Sequence, residues 1–190
     1  MPSVDPPPDD WPAHKGGRHI AGSAHAIIAA PLERVWASLA QDFAEIGRWS
    51  SGVKRSVPLT DQSKRVDAAP VAGRFCEIAA AGFSDTHERI VSFKPMQEFS
   101  YELYKGLPGF VAGAVNTWRF SPVSDGTRLE GRTDMIVTGL MGTLMGGMMR
   151  GSLNAALASM AGEAKYLLET GALHPNKLRL MRKLKQPLPA

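Results

Sequence analysis

The sequence predicts an α+β fold in which a seven-stranded antiparallel sheet curls around one long C-terminal helix. Six strand-like segments follow one another between residues 53 and 137, and the stretch from about residue 139 to 170 then repeats apolar residues at spacings of three and four. The 190 residues, 44% of them hydrophobic, suffice for one domain with a substantial core. A sheet with one apolar face must cover that face, and only the last helix is long enough to do so.

The chain begins its regular structure with one strand and two short helices. Residues His19–Ile28 alternate small or apolar positions with more polar ones, as a strand does. Residues Glu33–Leu39 have helical spacing, with Pro31 near the first turn. Asp42 is placed to cap a second short helix that ends near Trp49. We therefore expect two small helices after the first strand.

The middle of the chain has the pattern of an antiparallel meander. Gly, Pro, Asp and Ser residues separate its apolar segments. The predicted strands are Val53–Val57, Gly73–Ala79, Thr86–Phe93, Phe99–Tyr104, Val115–Phe120 and Thr127–Val137. Side chains alternate between the two faces of a strand, so Phe99, Tyr101 and Trp118 are predicted to point inward.

The last predicted helix combines an apolar stripe with unfavourable glycines. Met141, Met145, Met149 and Leu153 lie on one face, and four glycines fall between residues 142 and 151. Each glycine costs about 1 kcal/mol relative to alanine, so this half of the helix depends on its packing partners. We interpret it as the adjustable wall of a ligand cavity, whereas the alternative is that the methionines simply fill a core.

The two ends of the chain differ from the middle. Residues 1–18 are rich in proline and acidic residues and are expected to be a disordered leader before a domain spanning residues 19–170. The tail, residues 171–190, carries five basic residues and no acidic one, whereas the other 170 residues carry 17 basic and 18 acidic ones. This basic tail predicts weak contact with anionic membranes, unless it packs on the domain or stays disordered. The domain lacks the basic stripe with interleaved aromatics that is typical of specific nucleic-acid binding.

Several features point to a cytoplasmic protein. Cys76 is the single cysteine, so no intrachain disulfide can form. The N-terminal segment lacks the basic and apolar regions of a secretory signal. The longest nearly uncharged run, Met135–Met149, has about 15 residues, fewer than the roughly 20 that span a bilayer.

Common catalytic motifs are missing from the sequence. It contains no GxSxG elbow, and its glycine-rich stretch lacks the Lys-Ser/Thr pair of a phosphate-binding loop. A metal site would have to combine His87 with Asp85 or Glu88, but adjacent strand residues point to opposite faces. We therefore expect neither a metal nor a cofactor.

Arg74 and Glu88 are the polar pair that stands out. A hairpin register that pairs Cys76 with Glu88 places Arg74 and Glu88 on one face, where they would meet diagonally and neutralise each other. The alternative is that both are solvated strand charges. Tyr101, Asn116 and Thr133 are further candidates for hydrogen bonds to a ligand in a mostly apolar pocket, or else structural residues.

The order of elements and several local motifs resemble the SRPBCC superfamily, which includes START lipid-transfer domains, the birch-pollen allergen and bacterial polyketide cyclase/dehydrase-like proteins. The resemblance covers residues 19–170 and rests on the order and spacing of its motifs. These are Ala30–Trp36, Asp42–Trp49, Glu88–Ile90, Trp118–Pro122 and Asp125–Leu129. It implies a helix-grip fold, with a deep cavity between the curled sheet and the C-terminal helix.

The resemblance implies binding of an apolar small molecule such as a lipid or polyketide, by a carrier or sensor. One alternative is an aromatase/cyclase-like enzyme in the same cavity, with Arg74, Glu88 and Tyr101 as catalytic candidates. The other is a protein-interaction module or toxin-like regulator. The loop Tyr104–Gly113 and the glycine-rich start of the last helix are together the expected gate. The predicted ligand-binding residues are Trp36, Phe99, Tyr101, Asn116, Trp118, Thr133, Met135, Met145, Met149 and Leu153.

Overall fold

A computed structural model describes residues 17–79 and 84–187, with the side chains of residues 141–146 excluded. The strands are β1 (Arg18–Ile28), β2 (Val53–Pro58), β3 (Gly73–Ile78), β4 (Thr86–Lys94), β5 (Glu98–Lys105), β6 (Val111–Val123) and β7 (Gly126–Val137). The α-helices are α1 (Leu32–Trp36), α2 (Ile46–Trp49), α3 (Gly139–Thr170) and α4 (Pro175–Lys183). The predicted leader, apart from its last two residues, lies outside the described residues.

The seven strands form one antiparallel sheet in the order β1-β7-β6-β5-β4-β3-β2. The first strand pairs with the last, and the other neighbours follow chain order, as expected for a meander. The predicted helix-grip fold, with its two short helical segments after β1, is thereby confirmed. Strand β6 begins at Val111, earlier than predicted, so the β5–β6 connection spans only residues 106–110.

The two short helices are less regular than predicted. Helix α1 continues into a π-helical turn at Ala37–Gln41, and a 3₁₀ turn at Phe43–Glu45 leads into α2. Asp42 makes no side-chain capping bond to the turn that follows it. These segments fit the concave face of the sheet, and tertiary packing determines their form more than local capping does.

The short helices cover one half of the concave face and build an aromatic core. The ring of Trp36 lies 5.1 Å from the rings of both Phe93 and Phe120, in edge-on arrangements. The ring of Phe43 lies 5.8 Å from that of Phe99. Such edge-to-face pairs stabilise a core beyond the area that they bury. This half of the sheet is therefore filled by the protein itself.

The C-terminal half of α3 is fixed to this core. Leu157, Ala161, Ala164 and Leu168 are buried. The carboxylate of Glu163, also buried, accepts hydrogen bonds from the backbone N–H (2.7 Å) and the hydroxyl of Ser51. These contacts anchor α3 to the loop before β2.

The N-terminal half of α3 extends beyond the packed core. The helix approaches the sheet closely at Gly22, where a Cβ would lie 2.5 Å from the Cβ of Leu153. Nearer the N-terminus, Leu140 and Met148 are 76% and 63% exposed. No atom comes within 4 Å of where a Cβ would be on Gly147 or Gly151, outside the neighbouring residues and the backbone of the helix itself. The outward face of this half of the helix therefore has few packing partners among the described residues.

The basic tail forms helix α4 and is joined to the domain by one buried lysine. Lys177 is 1% exposed, and its Nζ donates to the carbonyls of Gly47 (2.5 Å) and Val53 (2.8 Å). Arg179, Arg182 and Lys183 are exposed. At Lys177 the tail therefore packs on the domain, and the charge of this residue is not available to a membrane surface. Among the described helices, none combines the length and hydropathy needed to cross a bilayer.

Candidate ligand-binding cavity

A cavity of about 440 Å³ lies between the N-terminal half of α3 and the concave face of the sheet. The short connection at residues 106–110 borders it, and the α2–β2 segment closes its other side. Its volume is within the range of small-molecule sites in proteins. Its apolar wall is formed by Ile46, Val53, Ile78, Leu103, Leu107, Phe110, Val111, Ala114, Met135, Met149, Leu153, Leu157 and Met160, among others.

Many of the residues predicted for the site line this cavity. The ligand-binding candidates among them are Tyr101, Asn116, Thr133, Met135, Met149 and Leu153, and the catalytic candidates are Arg74, Glu88 and Tyr101. They come from β3 to β7 and from α3, so the alternation of strand residues and the helical period bring them together. Met145 falls among the side chains that the structure does not describe.

Trp36, Phe99 and Trp118 do not line this cavity, contrary to prediction. All three point inward, but they belong to the aromatic core below it. Phe99 and Trp118 border a smaller neighbouring space of about 30 Å³, about enough for one water molecule, which shares Arg74 and Tyr101 with the cavity. Strand periodicity indicates the face of a residue, but it does not indicate whether a helix fills the space above it.

Arg74 and Glu88 form a buried ion pair at the inner end of the cavity. Both are almost fully buried, and Arg74 Nε lies 2.7 Å from Glu88 Oε2. The strand register pairs Arg74 directly with Glu88 and Cys76 with Thr86. The expected pairing of Cys76 with Glu88 is thus wrong by two residues. The shared face survives because side-chain alternation has a period of two.

Further contacts hold the guanidinium of Arg74 in place. Its Nη1 donates to the carbonyl of Phe43 at 2.6 Å, and its Cζ lies 3.9 Å from the centre of the Phe43 ring. The ring of Tyr101 lies 5.0 Å from the same carbon. Burial alone would lower the pKa of Arg74, but the charge of Glu88 and neighbouring groups outweigh it and raise that pKa. Arg74 therefore stays cationic.

Two neutral hydrogen-bonding groups lie beside the ion pair. Burial raises the pKa of the Tyr101 phenol, with the charge of Glu88 as the next cause. Burial also raises the pKa of the Cys76 thiol to about 12. Both groups consequently keep their protons at neutral pH, and the phenol can act as a hydrogen-bond donor.

Asn116 and Thr133 form a second polar position on the cavity wall. They are paired across β6 and β7, and the hydroxyl of Thr133 donates to the side-chain oxygen of Asn116. That bond leaves the amide N–H groups of Asn116 with no acceptor among the described residues. The sheet side of the cavity therefore offers two polar positions among apolar side chains.

Sequence reasoning missed several cavity residues. The hydroxyl of Thr86 donates to Glu88 Oε1 at 3.2 Å, which satisfies the second carboxylate oxygen. Thr86 comes two residues before Glu88 on the same strand, so side-chain alternation could have placed both on the inward face. Leu107 and Phe110 belong to the connection that was expected to act as a gate, but no periodicity assigns their orientation. Among the described residues, no three His, Cys, Asp or Glu side chains are grouped as metal ligands would be.

Comparison with protein families identifies one family that this chain matches. The family model described as "Polyketide cyclase / dehydrase and lipid transport" matches residues 19–165, which is most of the chain. The chain belongs to this family. Membership implies binding of hydrophobic ligands or cyclase chemistry. A search of curated proteins found no matching sequence.

Solved structures with the same fold include enzymes. The di-domain ARO/CYC StfQ from the steffimycin biosynthetic pathway is similar with a TM-score of 0.62 and 18% identity over 80% of this chain. The match covers 51% of StfQ, so this family member spans about half of that protein. Norcoclaurine synthase from Thalictrum flavum, as a point mutant with a transition-state analogue, has a TM-score of 0.63 at 13% identity, with 80% of this chain and 96% of that chain covered.

A third similar structure is a protein from Nitrosospira multiformis, with a TM-score of 0.60 and 14% identity. The match covers 80% of this chain and 97% of that one. At these identities the likeness establishes the shared fold.

Proposed function

We propose that this protein binds a hydrophobic small molecule, such as a lipid or polyketide, as a carrier or sensor. The cavity of about 440 Å³ supports this proposal, because its wall is largely apolar and the polar side chains on its sheet side are grouped at two positions. The packing density inside a folded protein is close to that of organic crystals. A space of this size, with methionines on one wall, is therefore suited to a bound ligand.

The polar end of the cavity favours binding over catalysis. The Arg74–Glu88 pair is held by Phe43 and Thr86, so its charges are already compensated within the protein. Glu88 Oε2 accepts from Arg74 and Oε1 from Thr86, so the carboxylate is held within the protein, as suits a group that orients a ligand.

A second candidate function is a cyclase-like reaction in the same cavity. The phenol of Tyr101 stays protonated and lies beside the cationic Arg74, an arrangement that can polarise a ligand carbonyl. The structural likeness to StfQ adds to this candidate. Conversion of a poly-β-ketone analogue by the purified protein, lost in Tyr101→Phe, would establish it over simple binding.

A matched pair of helix variants tests the binding proposal. Ala156 and Ala158 are both exposed on α3, but only Ala156 borders the cavity. Ala156→Phe should fill part of the cavity and weaken binding of an apolar fluorescent probe by about tenfold or more. Ala158→Phe should bind the probe like the native protein.

Native mass spectrometry with extraction of bound metabolites provides the complementary measurement. A copurifying apolar molecule that is depleted in Ala156→Phe but retained in Ala158→Phe would support the carrier or sensor. If the native protein holds no molecule and binds no apolar probe, the proposal is wrong and a protein-interaction or toxin-like module becomes the better hypothesis.

We also propose that the protein is cytoplasmic and that its tail touches anionic membranes weakly. The buried thiol of Cys76 suits a reducing compartment. Arg179, Arg182, Lys183 and Lys185 are exposed, and each contributes about 1 kcal/mol near an anionic surface. Cosedimentation with phosphatidylserine vesicles should be weak and lost at high salt. Unchanged sedimentation after replacing these four residues by glutamine would argue against the contact.

A further inference from the structure

We propose that the cavity selects electrically neutral apolar molecules that carry a carbonyl or hydroxyl oxygen, and that it rejects carboxylates such as fatty acid anions. This inference rests on the proposed binding function and narrows its ligand class. It makes Glu88 a specificity-determining residue, because its carboxylate already pairs with Arg74, the cation that a carboxylate ligand would need.

The charges around the cavity cancel. Among the described residues that line it, the only ionised side chains are Arg74 and Glu88. Residues 80–83 and 141–146, whose side chains are not described, contain no ionisable residue in the sequence. The cavity surface formed by the described residues therefore carries one positive and one negative charge in contact with each other.

A carboxylate ligand would find no free cation inside. Arg74 Nε already donates to Glu88 Oε2 at 2.7 Å, and both side chains are almost entirely shielded from water. A second carboxylate near Arg74 would be repelled by Glu88 and would lose its hydration without a new ion pair. Elsewhere the described wall offers apolar side chains and neutral polar groups. An anionic head group is thus disfavoured throughout the cavity.

A neutral oxygen can be accommodated at the same end. The guanidinium has five N–H groups, and the described residues provide acceptors for three of them, at Glu88, Phe43 and the Cys76 sulfur. The phenol of Tyr101 keeps its proton and also borders the cavity. A carbonyl or hydroxyl oxygen can accept from these donors without adding charge. An apolar body then fills the rest of the cavity.

Three ligands with the same alkyl chain test this selectivity. Lauryl alcohol, methyl laurate and laurate would compete with a neutral fluorescent probe at about pH 8, where the carboxylic acid is ionised, and below their aggregation concentrations. The two neutral ligands should compete at least about tenfold more tightly than laurate, because burying an unpaired carboxylate is costly. Equal competition by laurate would overturn the inference.

Replacing Glu88 should reverse the preference. Glu88→Gln leaves the charge of Arg74 unmatched, so laurate should gain at least about tenfold in affinity while lauryl alcohol changes little. The double variant Arg74→Met, Glu88→Gln removes both charges and should still reject laurate. No gain of laurate binding in a folded Glu88→Gln protein would contradict the role of Glu88. If that variant does not fold, the comparison in the native protein decides the question.

The results also separate this inference from the proposed function. Binding of laurate as tight as that of lauryl alcohol would refute the neutral-ligand inference and leave hydrophobic binding intact. Failure of the probe and of all three ligands to bind the native protein would refute both.

Discussion

The ring of Trp118 lies against Gly131 on the neighbouring strand, where a Cβ on Gly131 would be 2.6 Å from Cζ3 of the indole. The two residues face each other across β6 and β7. The absence of a side chain at residue 131 therefore lets the indole lie over β7 and join the aromatic core below the cavity.

Substituting this glycine should be costly. Gly131→Ala forces the Trp118 ring to move within a packed core, and we expect the free energy of unfolding to fall by about 1 to 3 kcal/mol in urea titrations. Gly162→Ala provides the control, because that glycine is exposed on α3 with open space beside it. The control should stabilise the protein by up to about 1 kcal/mol. A neutral Gly131→Ala would show that the indole can relocate freely.

Removing one partner of the buried ion pair should be far more damaging than removing an exposed one. Glu88→Ala strands the charge of Arg74 and should cost about 3 to 5 kcal/mol in the free energy of unfolding. The pair Arg55–Glu77, at 2.8 Å, joins neighbouring strands at the exposed edge of the same sheet. Glu77→Ala should cost at most about 1 kcal/mol. Similar losses in the two variants would indicate that Arg74 is hydrated in solution.

Alkaline pH should destabilise the protein partly through Cys76. The pKa of its thiol is raised from 9.0 to about 12, so between these values the folded state holds a proton that the unfolded chain releases. Stability must then fall as pH rises through this window. Chemical denaturation between about pH 8 and pH 10.5 should give a shallower decline for Cys76→Ala than for the native protein. Parallel declines would exclude a contribution of the thiol.

The β5–β6 connection and the start of α3 should be the mobile parts of the cavity wall. Residues 106–110 border the cavity, and the N-terminal half of α3 packs sparsely. Hydrogen exchange should be fast in both segments without ligand and slower with a bound apolar probe, whereas residues 157–168 should be protected throughout. Protection of both segments in the free protein would contradict a gate at this position.

Helix α4 should depend on Lys177 for its position. Lys177→Met removes two hydrogen bonds to the domain, at Gly47 and Val53, and should expose α4 to limited proteolysis. Lys183→Met removes an exposed charge from the same helix and should leave the cleavage rate unchanged. The prediction is wrong if both variants are cleaved at the same rate.

The sequence predicted the sheet well because alternation and turn residues are local signals. Strand β7 carries the cleanest alternation, and its predicted start at Thr127 is one residue from the observed one. The shared face of Arg74 and Glu88 was also predictable, since it survives the two-residue error in register. The burial of their charges could not be predicted, because it depends on the short helix segment that contributes the Phe43 carbonyl.

Periodicity could not predict whether an inward-facing residue belongs to the packed core or lines the cavity. Trp36 and Trp118 were assigned to the cavity on the correct face of their elements, yet they belong to the core. The position of the boundary between core and cavity depends on how α3 packs against the sheet, including its close approach to Gly22, a contact between residues far apart in the chain. Lys177 shows the same limit, because a basic residue in a basic tail carries no local sign that it will be buried.

The aromatic core and the cavity occupy different ends of the same concave face, and this separation bears on how such a chain can diversify. Residues that line the cavity, such as Leu107 and Met149, are only partly buried and lie outside the cluster around Trp36. If a ligand binds there, mutations at these positions should change its shape preference at less cost to folding than mutations in the aromatic core. Descendants of one ancestral chain can then retain the architecture long after their sequences and ligands have diverged.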